Sequence, residues 1–517
     1  MVLVVFILLV VQVSHKKLSG DYSIENMKDD KNYKLYINGV WVDSVSHETF
    51  VSDNPARPKQ VLGIFQKGCK EDVDRAVDAA EKAFERWSET PPPRRGSILL
   101  KAAQLLRENK EQLAREMTME MGKVILESRG DVQEAIDITE YMAGEGRRLL
   151  GFTTPSELRK KLCFTLRMPV GVCGLITPWN FPMAIPAQKI MAALICGNTV
   201  VFKPSSDTPL CATRLVEILE KAGLPKGVLN MVTGSGDDVG MSVVKHEKVA
   251  AISFTGHKDT GALILREAGV KKVGLEMGGK NGIIVMDDAD LNLALEGVIW
   301  GGYGTTGQRC TASSRVIVHE KVRSKFEKML VSRIRKLRLG DGLKAETDVG
   351  PLVNRAAQEK SAKYVEIGKD EGAKLEIGGR IPQMDGFFFE PTLFTDCTVG
   401  MRIAREEIFG PVVSLISVKD FDEAIDVMNS VEYGLSSAIY TRDISRACEA
   451  ITKIRAGLTY INSSTIGSEV HLPFGGVKQT GIGTREGGIE GIDEFSETKT
   501  VYIDYSGKLQ RAQIDIE

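Results

Sequence analysis

The sequence predicts an α/β protein with parallel strands covered by helices on both faces. From Gly171 onward, short apolar runs alternate with helical stretches. The same alternation resumes after Cys310. Strands and helices in alternation are typical of parallel sheets. Because the alternation occurs in two series, we expect a second α/β domain after the first.

The size and composition of the chain are ordinary for a globular protein. Of its 517 residues, 43 % are hydrophobic and 26 % are charged. A chain of this length holds about two to four domains. The formal net charge is −2, and acids and bases are mixed along the chain. Without a clustered basic surface, we expect no nucleic-acid partner.

Cysteine and histidine spacing argues against disulfides and metal sites. The eight cysteines are scattered singly and form no CxxC pair. A long chain with so few cysteines is not a disulfide scaffold, which favours a reducing, cytoplasmic location. The six histidines are also dispersed. Because they lack zinc-ligand spacing, we expect no protein-bound metal.

The N-terminus is unusual because residues 1–13 are almost wholly apolar. Crossing a bilayer takes about 20 such residues, so we expect no stable membrane insertion. The run also lacks the preceding basic residues and the following cleavage site of a signal peptide. Met27 opens a polar segment just before the globular pattern. We therefore favour a start assigned too far upstream, with a peripheral membrane anchor as the alternative.

The predicted elements before Gly171 are a hairpin and a series of helices. Residues 33–42 resemble a hairpin that turns at Asn38 and Gly39. Apolar residues spaced by three and four predict a helix over 73–87, which the prolines at 91–93 end. Further helix is predicted over about 94–107 and on to about 148. After Gly171 we predict strands at 172–176, 199–202, 228–232, 251–254 and 282–286, with helices at 185–194 and 210–222.

Residues 304–311 read Gly-Thr-Thr-Gly-Gln-Arg-Cys-Thr and hold a candidate nucleophile. Glycine allows the backbone to pass close to a ligand because it has no Cβ. A substrate could therefore reach the Cys310 thiol at the end of this run. The alternative is a buried cysteine that packs like a small hydrophobic residue.

Two further segments offer groups that fit reactions of a carbonyl compound. Asn180 follows a predicted strand and lies between Pro178 and Pro182. These prolines would hold its amide in place as a donor to an oxyanion, although Asn is also common in turns. Glu276 ends an apolar, glycine-rich strand. Desolvation would raise the pKa of this carboxyl group and suit it to act as a general base.

Other strand ends could contact a nucleotide. Lys203 would present its ammonium group where phosphates or ribose hydroxyls could accept from it. Thr255 and Gly256 lead into a helix from about His257, whose N-terminus could face a pyrophosphate. The alternative is that these residues form ordinary loops and that the lysine side chain is simply solvated. The glycines from Gly234 onward do not match GxGxxG, so we interpret this run as a loop at the edge of a nucleotide site.

Taken together and in this order, these segments resemble the NAD(P)-dependent aldehyde dehydrogenase superfamily over about residues 33–502. The stretch from Pro473 to Lys478 resembles the C-terminal signature of that family. The resemblance implies that Cys310 is the nucleophile and Glu276 the general base. It also implies that Asn180 and the Cys310 backbone N–H stabilise the oxyanion.

The resemblance further implies a binding site for NADP or NAD. Lys203 corresponds to the residue that bonds the adenosine ribose, and Gly256 opens the helix beside the pyrophosphate. Glu407 corresponds to the nicotinamide-ribose ligand, with Phe409 beside the ring. The full set of implied cofactor contacts is Thr177, Pro178, Trp179, Lys203, Ser205, Ser206, Gly236, Phe254, Thr255, Gly256, His257, Glu407 and Phe409.

Two departures from the family pattern concern the cofactor. Many NAD-specific relatives carry Glu where Ser206 stands, and that carboxylate repels a 2′-phosphate. Like charges 4 Å apart cost roughly 4 kcal/mol at an effective dielectric constant of 20. A neutral Ser206 beside Lys203 therefore predicts a preference for NADP, or use of both cofactors. His257 stands where relatives often have a serine that caps the helix and contacts phosphate.

The implied reaction oxidises an aldehyde to a carboxylic acid through a cysteine thiohemiacetal and a thioester. A free thiol has a pKa of about 8.5, so we expect the cofactor's charge and local dipoles to lower the pKa of Cys310. Arg309 and Arg147 or Arg148 could anchor an anionic substrate tail, or could form ordinary salt bridges. We expect a small oxygenated aldehyde or semialdehyde, such as glyceraldehyde or the semialdehydes of succinate and 2-oxoglutarate.

The family fold implied for this chain has a Rossmann-like cofactor domain, an α/β catalytic domain and a small β oligomerisation flap. Unpaired flap strands would require a partner chain, so a homotetramer or homodimer is expected. The alternatives to hydrolytic oxidation are a CoA-acylating semialdehyde dehydrogenase and an inactive structural relative. The predicted division is a disordered extension at 1–32, a cofactor domain at 33–158 and 170–278, a catalytic domain at 279–478, and the flap and tail at 159–169 and 479–517.

Overall fold

The computed structural model describes residues 32–515. The predictions for the N-terminal extension therefore lie outside the described residues, apart from Asn32. The chain from Asn32 onward forms one compact unit. No helix within the described part is long and apolar enough to span a membrane.

The described part of the chain begins with five strands. The predicted hairpin is confirmed, because two of these strands pair antiparallel on either side of the turn. Asn38 and Gly39 both have positive φ angles, as a tight hairpin turn requires. The five strands are β1 (Asn32–Tyr33), β2 (Leu35–Ile37), β3 (Val40–Val42), β4 (Thr49–Asn54) and β5 (Arg57–Gln66).

Four helices and two strands follow. The second helix starts within the proline run, because proline is tolerated in the first helical turn. The helical region predicted to continue to residue 148 is two helices, which Gly122 separates with a left-handed φ of 94°. These elements are α1 (Lys70–Glu89), α2 (Pro92–Glu108), α3 (Lys110–Met121), α4 (Ile125–Glu145), β6 (Thr153–Pro155) and β7 (Lys161–Pro169).

The first α/β series matches the predicted strands and helices closely. Between its elements, residues Gly236–Gly240 form a π-helical turn rather than the predicted loop, because the Ser235 hydroxyl accepts a hydrogen bond from the Asp238 N–H. The series contains β8 (Val172–Ile176), α5 (Ala184–Cys196), β9 (Thr199–Lys203), α6 (Pro209–Ala222), β10 (Leu229–Met231), α7 (Met241–Lys245), β11 (Val249–Thr255), α8 (Lys258–Glu267) and β12 (Lys272–Glu276).

The second α/β series follows directly. Its elements are β13 (Asn281–Val285), α9 (Leu291–Tyr303), β14 (Ser313–His319), α10 (Glu320–Ile334), α11 (Arg355–Asp370), β15 (Lys374–Ile377), β16 (Thr392–Thr395), α12 (Arg402–Arg405), β17 (Val412–Val418), α13 (Phe421–Asn429), β18 (Tyr433–Gly434), β19 (Ser436–Tyr440), α14 (Ile444–Lys453) and β20 (Leu458–Ile461). The chain ends with β21 (Val477–Lys478), β22 (Gly481–Ile482), α15 (Glu490–Glu494) and β23 (Ser496–Asp504).

Two large sheets organise these elements and confirm the α/β prediction. The first sheet has the order β22-β12-β11-β8-β9-β10-β2-β3, and its strands from β12 to β10 are parallel. The second has the order β15-β16-β17-β14-β13-β19-β20 and is parallel from β16 onward. Each sheet is covered on both faces by buried apolar clusters. Parallel strands end at one edge, so β8, β9, β11 and β12 bring their following residues together.

A small third sheet has the order β23-β7-β6. Strand β7 pairs antiparallel with β23 along its whole length, from Ser496 opposite Pro169 to Asp504 opposite Lys161. These two strands coincide with the segments from which the flap was predicted. Their sheet exposes large apolar side chains, including Leu162, Leu166 and Ile503.

Candidate active site

Cys310 borders two cavities at the edge where the parallel strands end. The first cavity has a volume of about 320 Å³. The second has a volume of about 130 Å³, and Cys310 and Glu276 both line it. The two groups predicted to act on one reacting carbon are therefore on one cavity wall. The predicted residues that line the first cavity are Pro178, Trp179, Asn180, Thr255, Gly256, His257, Cys310, Glu407 and Phe409.

A strained loop between α9 and β14 carries Cys310. Thr305 and Thr306 have φ angles of 51° and 57°, and Gly307 has a φ of 70°. Such left-handed conformations are costly for residues with a Cβ and cluster at functional sites. The Thr305 N–H donates to the Glu127 carboxylate at 2.7 Å, which fixes the loop to α4. The sharp turn directs the following residues toward the cavities.

The backbone around Cys310 is held in place by side chains from the start of β13 and from the loop after β20. The Asn281 amide donates to the carbonyl oxygens of Cys310 at 2.7 Å and Ala312 at 3.0 Å. The Thr465 hydroxyl donates to the Thr311 carbonyl at 2.7 Å. The backbone N–H groups of Cys310 and Thr311 lie beside the sulfur and favour the thiolate. These N–H groups are therefore near the place where a carbonyl oxygen would become negative.

Asn180 is positioned as a rigid side-chain donor beside the nucleophile. It is buried between β8 and α5. Its side-chain amide donates to the Gln308 carbonyl at 3.1 Å, and its backbone carbonyl accepts from the Lys123 ammonium at 2.6 Å. An amide has two N–H bonds, so a second donor remains for an oxyanion.

The Cys310 thiol is strongly favoured over its thiolate in the protein itself. Desolvation raises the pKa of Cys310 to about 12, and the carboxyl groups of Glu407 and Glu276 act in the same direction. The nearby N–H dipoles lower the pKa but do not outweigh these effects. Of the two sources expected to lower the pKa, the local dipoles alone are insufficient.

Glu276 is the last residue of β12 and is almost completely buried. Desolvation raises the pKa of its carboxyl group well above the usual range, Glu486 adds to this, and Lys189 and Arg485 oppose it. Its Oε2 atom has no hydrogen-bond partner among the described residues. Such an oxygen, facing the cavity that contains Cys310, could take a proton from a water molecule.

Two ionisable residues behind Glu276 were not predicted. The Lys189 ammonium donates to the Ser253 hydroxyl at 2.8 Å and forms an ion pair with Glu486. Lys189 is the only charged residue in helix α5, which is otherwise apolar except for Gln188. A lone buried lysine needs an acidic partner, so the sequence of this helix could have indicated a buried ion pair. Glu486, far along the chain, had no comparable local signal.

Several predicted cofactor residues lie outside the first cavity, at or after the ends of β8, β9, β10 and β11. Lys203 is buried, which lowers the pKa of its ammonium to about 8, with Asp207 acting in the opposite direction. The Ser206 hydroxyl donates to the Gly234 carbonyl at 2.9 Å. The Phe254 side chain packs in the core of the first sheet. The predicted residues that do not line the first cavity are Thr177, Lys203, Ser205, Ser206, Gly236 and Phe254.

The chemistry of this surface fits a dinucleotide. The hydroxyl groups of Thr177 and Thr255 are buried without hydrogen-bond partners among the described residues, and the end of β9 supplies the Lys203 ammonium. Hydroxyls and a cation suit ribose and phosphate groups. His257 caps α8 by accepting from the Asp259 N–H at 3.3 Å, so a histidine can fulfil the capping role of serine.

Glu407 and Phe409 face the first cavity close to Cys310. Glu407 accepts a hydrogen bond from the Gly279 N–H at 2.7 Å. Gly278 permits this approach, because a Cβ there would lie 2.2 Å from the Glu407 carboxylate. Phe409 has a left-handed φ of 59° and meets the Trp179 ring edge-on, with ring centroids 5.4 Å apart. The lining also includes Asn354 and Lys360, which sequence reasoning missed.

The two arginines predicted to anchor the substrate have different surroundings. Arg309 lines the smaller cavity together with Cys310. Its guanidinium group lies over the Trp300 ring at 4.8 Å and the Phe181 ring at 5.3 Å. Arg147 is exposed after the end of α4 and lines neither cavity beside Cys310. Neighbouring Arg148 pairs with Glu145.

A sequence profile of the aldehyde dehydrogenase family matches residues 41–501. The chain is 42 % identical to an alpha-ketoglutaric semialdehyde dehydrogenase from Bacillus subtilis, over 92 % of this chain and 99 % of that protein. It is 39 % identical to a D-glyceraldehyde dehydrogenase (NADP(+)) from Picrophilus torridus, over 92 % of this chain and 96 % of that protein. A Staphylococcus aureus betaine aldehyde dehydrogenase crystallised with NAD⁺ superposes with a TM-score of 0.90 at 37 % identity, covering 92 % of this chain and 95 % of that one.

Proposed function

The chain belongs to the aldehyde dehydrogenase family, and from that premise we propose that it oxidises a small aldehyde with an anionic tail. As a member of this family it is an NAD(P)-dependent enzyme that converts an aldehyde to a carboxylic acid. The observation that carries the proposal is the shared cavity of Cys310, Glu276 and Arg309. This cavity combines a nucleophile, a base and a cation.

In the proposed mechanism, the Cys310 thiolate attacks the aldehyde carbon and forms a thiohemiacetal. The Asn180 amide and the Cys310 N–H stabilise the oxygen that becomes negative. When bound, the oxidised nicotinamide accepts the hydride, which leaves a thioester on Cys310. Glu276 then removes a proton from water, the water attacks the thioester, and the carboxylic acid leaves as the thiol is restored.

The cofactor would extend from Cys310 across the first cavity to the end of β9. Trp179, Glu407 and Phe409 would bind its nicotinamide riboside, and Lys203 its adenosine ribose. The absence of a carboxylate at Ser206 supports acceptance of a 2′-phosphate. We therefore propose NADP as the preferred cofactor, or use of both NADP and NAD. A kcat/KM value that favours NAD tenfold would contradict this.

The charge and size of the smaller cavity support the substrate class. Its volume of about 130 Å³ suits a short aldehyde, and Arg309, Gln188 and Ser468 could bind a carboxylate. A relative named alpha-ketoglutaric semialdehyde dehydrogenase is the reason to propose 2-oxoglutarate semialdehyde first. Because the Arg309 guanidinium lies against Trp300 and Phe181, a cationic aldehyde beside these rings would meet a like charge.

The finer features of assembly and location are also proposals. The exposed apolar side chains of β7 and β23 support a homodimer or homotetramer formed through this flap. The unpaired cysteines support a reducing compartment such as the cytoplasm. Each large sheet is built mainly from one of the two predicted segments, which supports the division into a cofactor domain and a catalytic domain.

A panel of aldehydes tests the function. The purified protein would be assayed with 2-oxoglutarate semialdehyde, succinate semialdehyde, glyceraldehyde and betaine aldehyde, with NAD⁺ or NADP⁺ and with or without CoA. We expect the highest kcat/KM for the anionic aldehydes, with a free acid as the product. Cys310→Ala should abolish turnover, whereas Cys448→Ala, at an exposed cysteine, should not.

Three results would contradict parts of this proposal. If kcat/KM is highest for betaine aldehyde, the proposed preference for aldehydes with an anionic tail is wrong. An acyl-CoA product would show that the acyl group is transferred from the thioester to CoA and that the thioester is not hydrolysed. Full activity of Cys310→Ala would reject the assigned nucleophile.

A further inference from the structure

The smaller cavity that contains Cys310 adjoins a third cavity, and three residues line both. The third cavity has a volume of about 520 Å³ and lies between α4, α9 and α10. Phe181, Glu134 and Arg309 line both cavities. We call these three residues the neck. Arg309 is thus not the only charged group that an aldehyde tail would meet beside Cys310.

The Arg309 guanidinium is fixed within the neck. Its Nε–H donates to the Thr305 hydroxyl at 2.8 Å, and another N–H contacts the Glu127 carboxylate at 3.3 Å. Trp300 and Phe181 hold its flat faces. Rotation away from the cavity would break these contacts together. The cation therefore stays in the neck whichever substrate enters.

The other cation near the neck already has an acidic partner. Lys123 forms a fully buried ion pair with Asp131 at 2.9 Å. Arg309 likewise has Glu127 as its acidic partner. The Glu134 carboxyl group forms neither an ion pair nor a side-chain hydrogen bond with any residue in the described part of the chain. Each of these two cations is thus already matched by one acid. Glu134 is an additional acid without a cation of its own.

The ionisation of Glu134 depends on this balance. Desolvation and the charge of Asp131 raise the pKa of its carboxyl group to about 7, whereas Arg309 and Lys123 lower it and Asp137 adds a small increase. Glu276 and Glu486 also line the smaller cavity. If Glu134 is ionised, a tail carboxylate beside Arg309 faces two acids, Glu127 and Glu134, for a single cation. If Glu134 is protonated, its repulsion of the tail disappears, Glu127 stays paired with Arg309, and the Glu134 carboxyl O–H can donate to the tail.

We propose that Glu134 is a specificity-determining residue that must carry a proton when an aldehyde with an anionic tail binds beside Arg309. The inference rests on the proposed substrate class. It adds that binding of the anionic aldehyde is linked to uptake of one proton, whereas binding of a neutral aldehyde is not. Since Glu134 loses its proton as the pH rises, the enzyme should discriminate against anionic aldehydes at alkaline pH.

The pH dependence of specificity tests this linkage. We would measure kcat/KM for succinate semialdehyde and for butanal between pH 6 and 8, and take their ratio at each pH. The ratio removes effects of Cys310 and Glu276, which act on both substrates. For the unmodified enzyme we expect the ratio to fall about tenfold over this range, as titration of one group near pH 7 requires. For Glu134→Gln, which cannot ionise, we expect a flat ratio.

Glu140→Gln is the matched control, since Glu140 lies on the same helix but is exposed and pairs with Arg107. It should show the same fall as the unmodified enzyme. A ratio in Glu134→Gln that still falls tenfold would overturn the inference. If the unmodified enzyme oxidises neither aldehyde, the proposed function fails instead.

A second measurement needs no change at Glu134. Succinate semialdehyde would be titrated calorimetrically at pH 7.5 into the Cys310→Ala enzyme with NADP⁺, in two buffers of different ionisation enthalpy. We expect the difference between the buffers to report net proton uptake, and none with butanal. Zero uptake with succinate semialdehyde would overturn the inference even if Glu134→Gln does not fold.

Discussion

At the scale of single residues, the surroundings of the two reactive groups of the proposed site favour their protonated forms. Desolvation raises the pKa of Cys310 and that of Glu276. Each must lose a proton before it can act, as nucleophile or as base. The activity of the enzyme should therefore rise with pH. The step that needs the Cys310 thiolate and the step that needs the Glu276 carboxylate can be separated by substitution.

Glu276→Gln should stop the second half of the reaction and leave the first. Without a base, the thioester is not hydrolysed, so reduced cofactor should form in one rapid burst followed by a steady-state rate lower by about 10²–10⁴-fold. Stopped-flow absorbance of the reduced cofactor would measure both phases. Burial raises the pKa of the Glu276 carboxyl group, so any increase of the steady-state rate with pH that reflects its deprotonation should also disappear.

Glu111→Gln provides the control, because Glu111 is an exposed acid on α3 that pairs with Arg129. Its burst and steady-state rate should equal those of the unmodified enzyme. Rapid steady-state turnover by Glu276→Gln would assign the base to another residue.

At the scale of elements, the loop between α9 and β14 sets the position of the nucleophile. Its turn depends on three successive left-handed residues, of which only Gly307 lacks a Cβ. A Cβ at Gly307 would lie 2.4 Å from the Gly410 carbonyl oxygen, in the segment that carries Glu407 and Phe409. The close approach of these two loops thus joins the nucleophile to the proposed nicotinamide contacts.

Gly307→Ala should disturb both stability and catalysis. The clash with a backbone oxygen, added to the positive φ, should reduce the free energy of unfolding by about 1–3 kcal/mol. Displacement of Cys310 should lower kcat/KM by about 10²-fold. Chemical denaturation and steady-state kinetics would measure the two effects.

Gly269→Ala separates the clash from the backbone strain. Gly269 also has a positive φ of 68°, but a Cβ there would have no atom within 4 Å. This variant should lose about 1 kcal/mol of stability and no activity. Equal losses in both variants would mean that the contact with Gly410 is unimportant.

At the scale of the whole molecule, the small sheet of β6, β7 and β23 is the clearest surface for self-association. Its side chains Leu162, Leu166 and Ile503 are 44 %, 45 % and 47 % exposed. Exposed apolar residues on a sheet with free edges favour contact with another chain. The proposed oligomer would cover them.

Leu166→Asp should dissociate this oligomer, because it introduces a charge into the apolar contact. Light scattering after size-exclusion chromatography should give a dimer or tetramer for the unmodified protein and a smaller species for the variant. Val270→Asp, at a fully exposed position outside the flap, should keep the original mass. A monomeric unmodified protein would exclude the proposed assembly.

Much of the fold and the reactive groups could be predicted from the chain itself. Apolar periodicity predicted β8, α5, β9 and the later strands within a few residues, because that signal is local. The separation of α3 from α4 at Gly122 and the helical turn at Gly236–Gly240 escaped prediction, since they depend on single backbone conformations and caps. Arg309 and Arg147 were both candidate substrate anchors in the sequence, and the structure places only Arg309 in a cavity beside Cys310.

The sequence by itself determined the chemistry that is available: a thiol after a glycine-rich turn, an acid at a strand end, an amide between prolines, and the order of strands and helices that carries them. The tertiary structure alone decided which groups share a cavity and which charges are balanced. Lys189 with Glu486, and Glu134 beside the paired Arg309, come from segments far apart in the chain. Their protonation depends on desolvation and on neighbouring charges, which are properties of packing rather than of residue order.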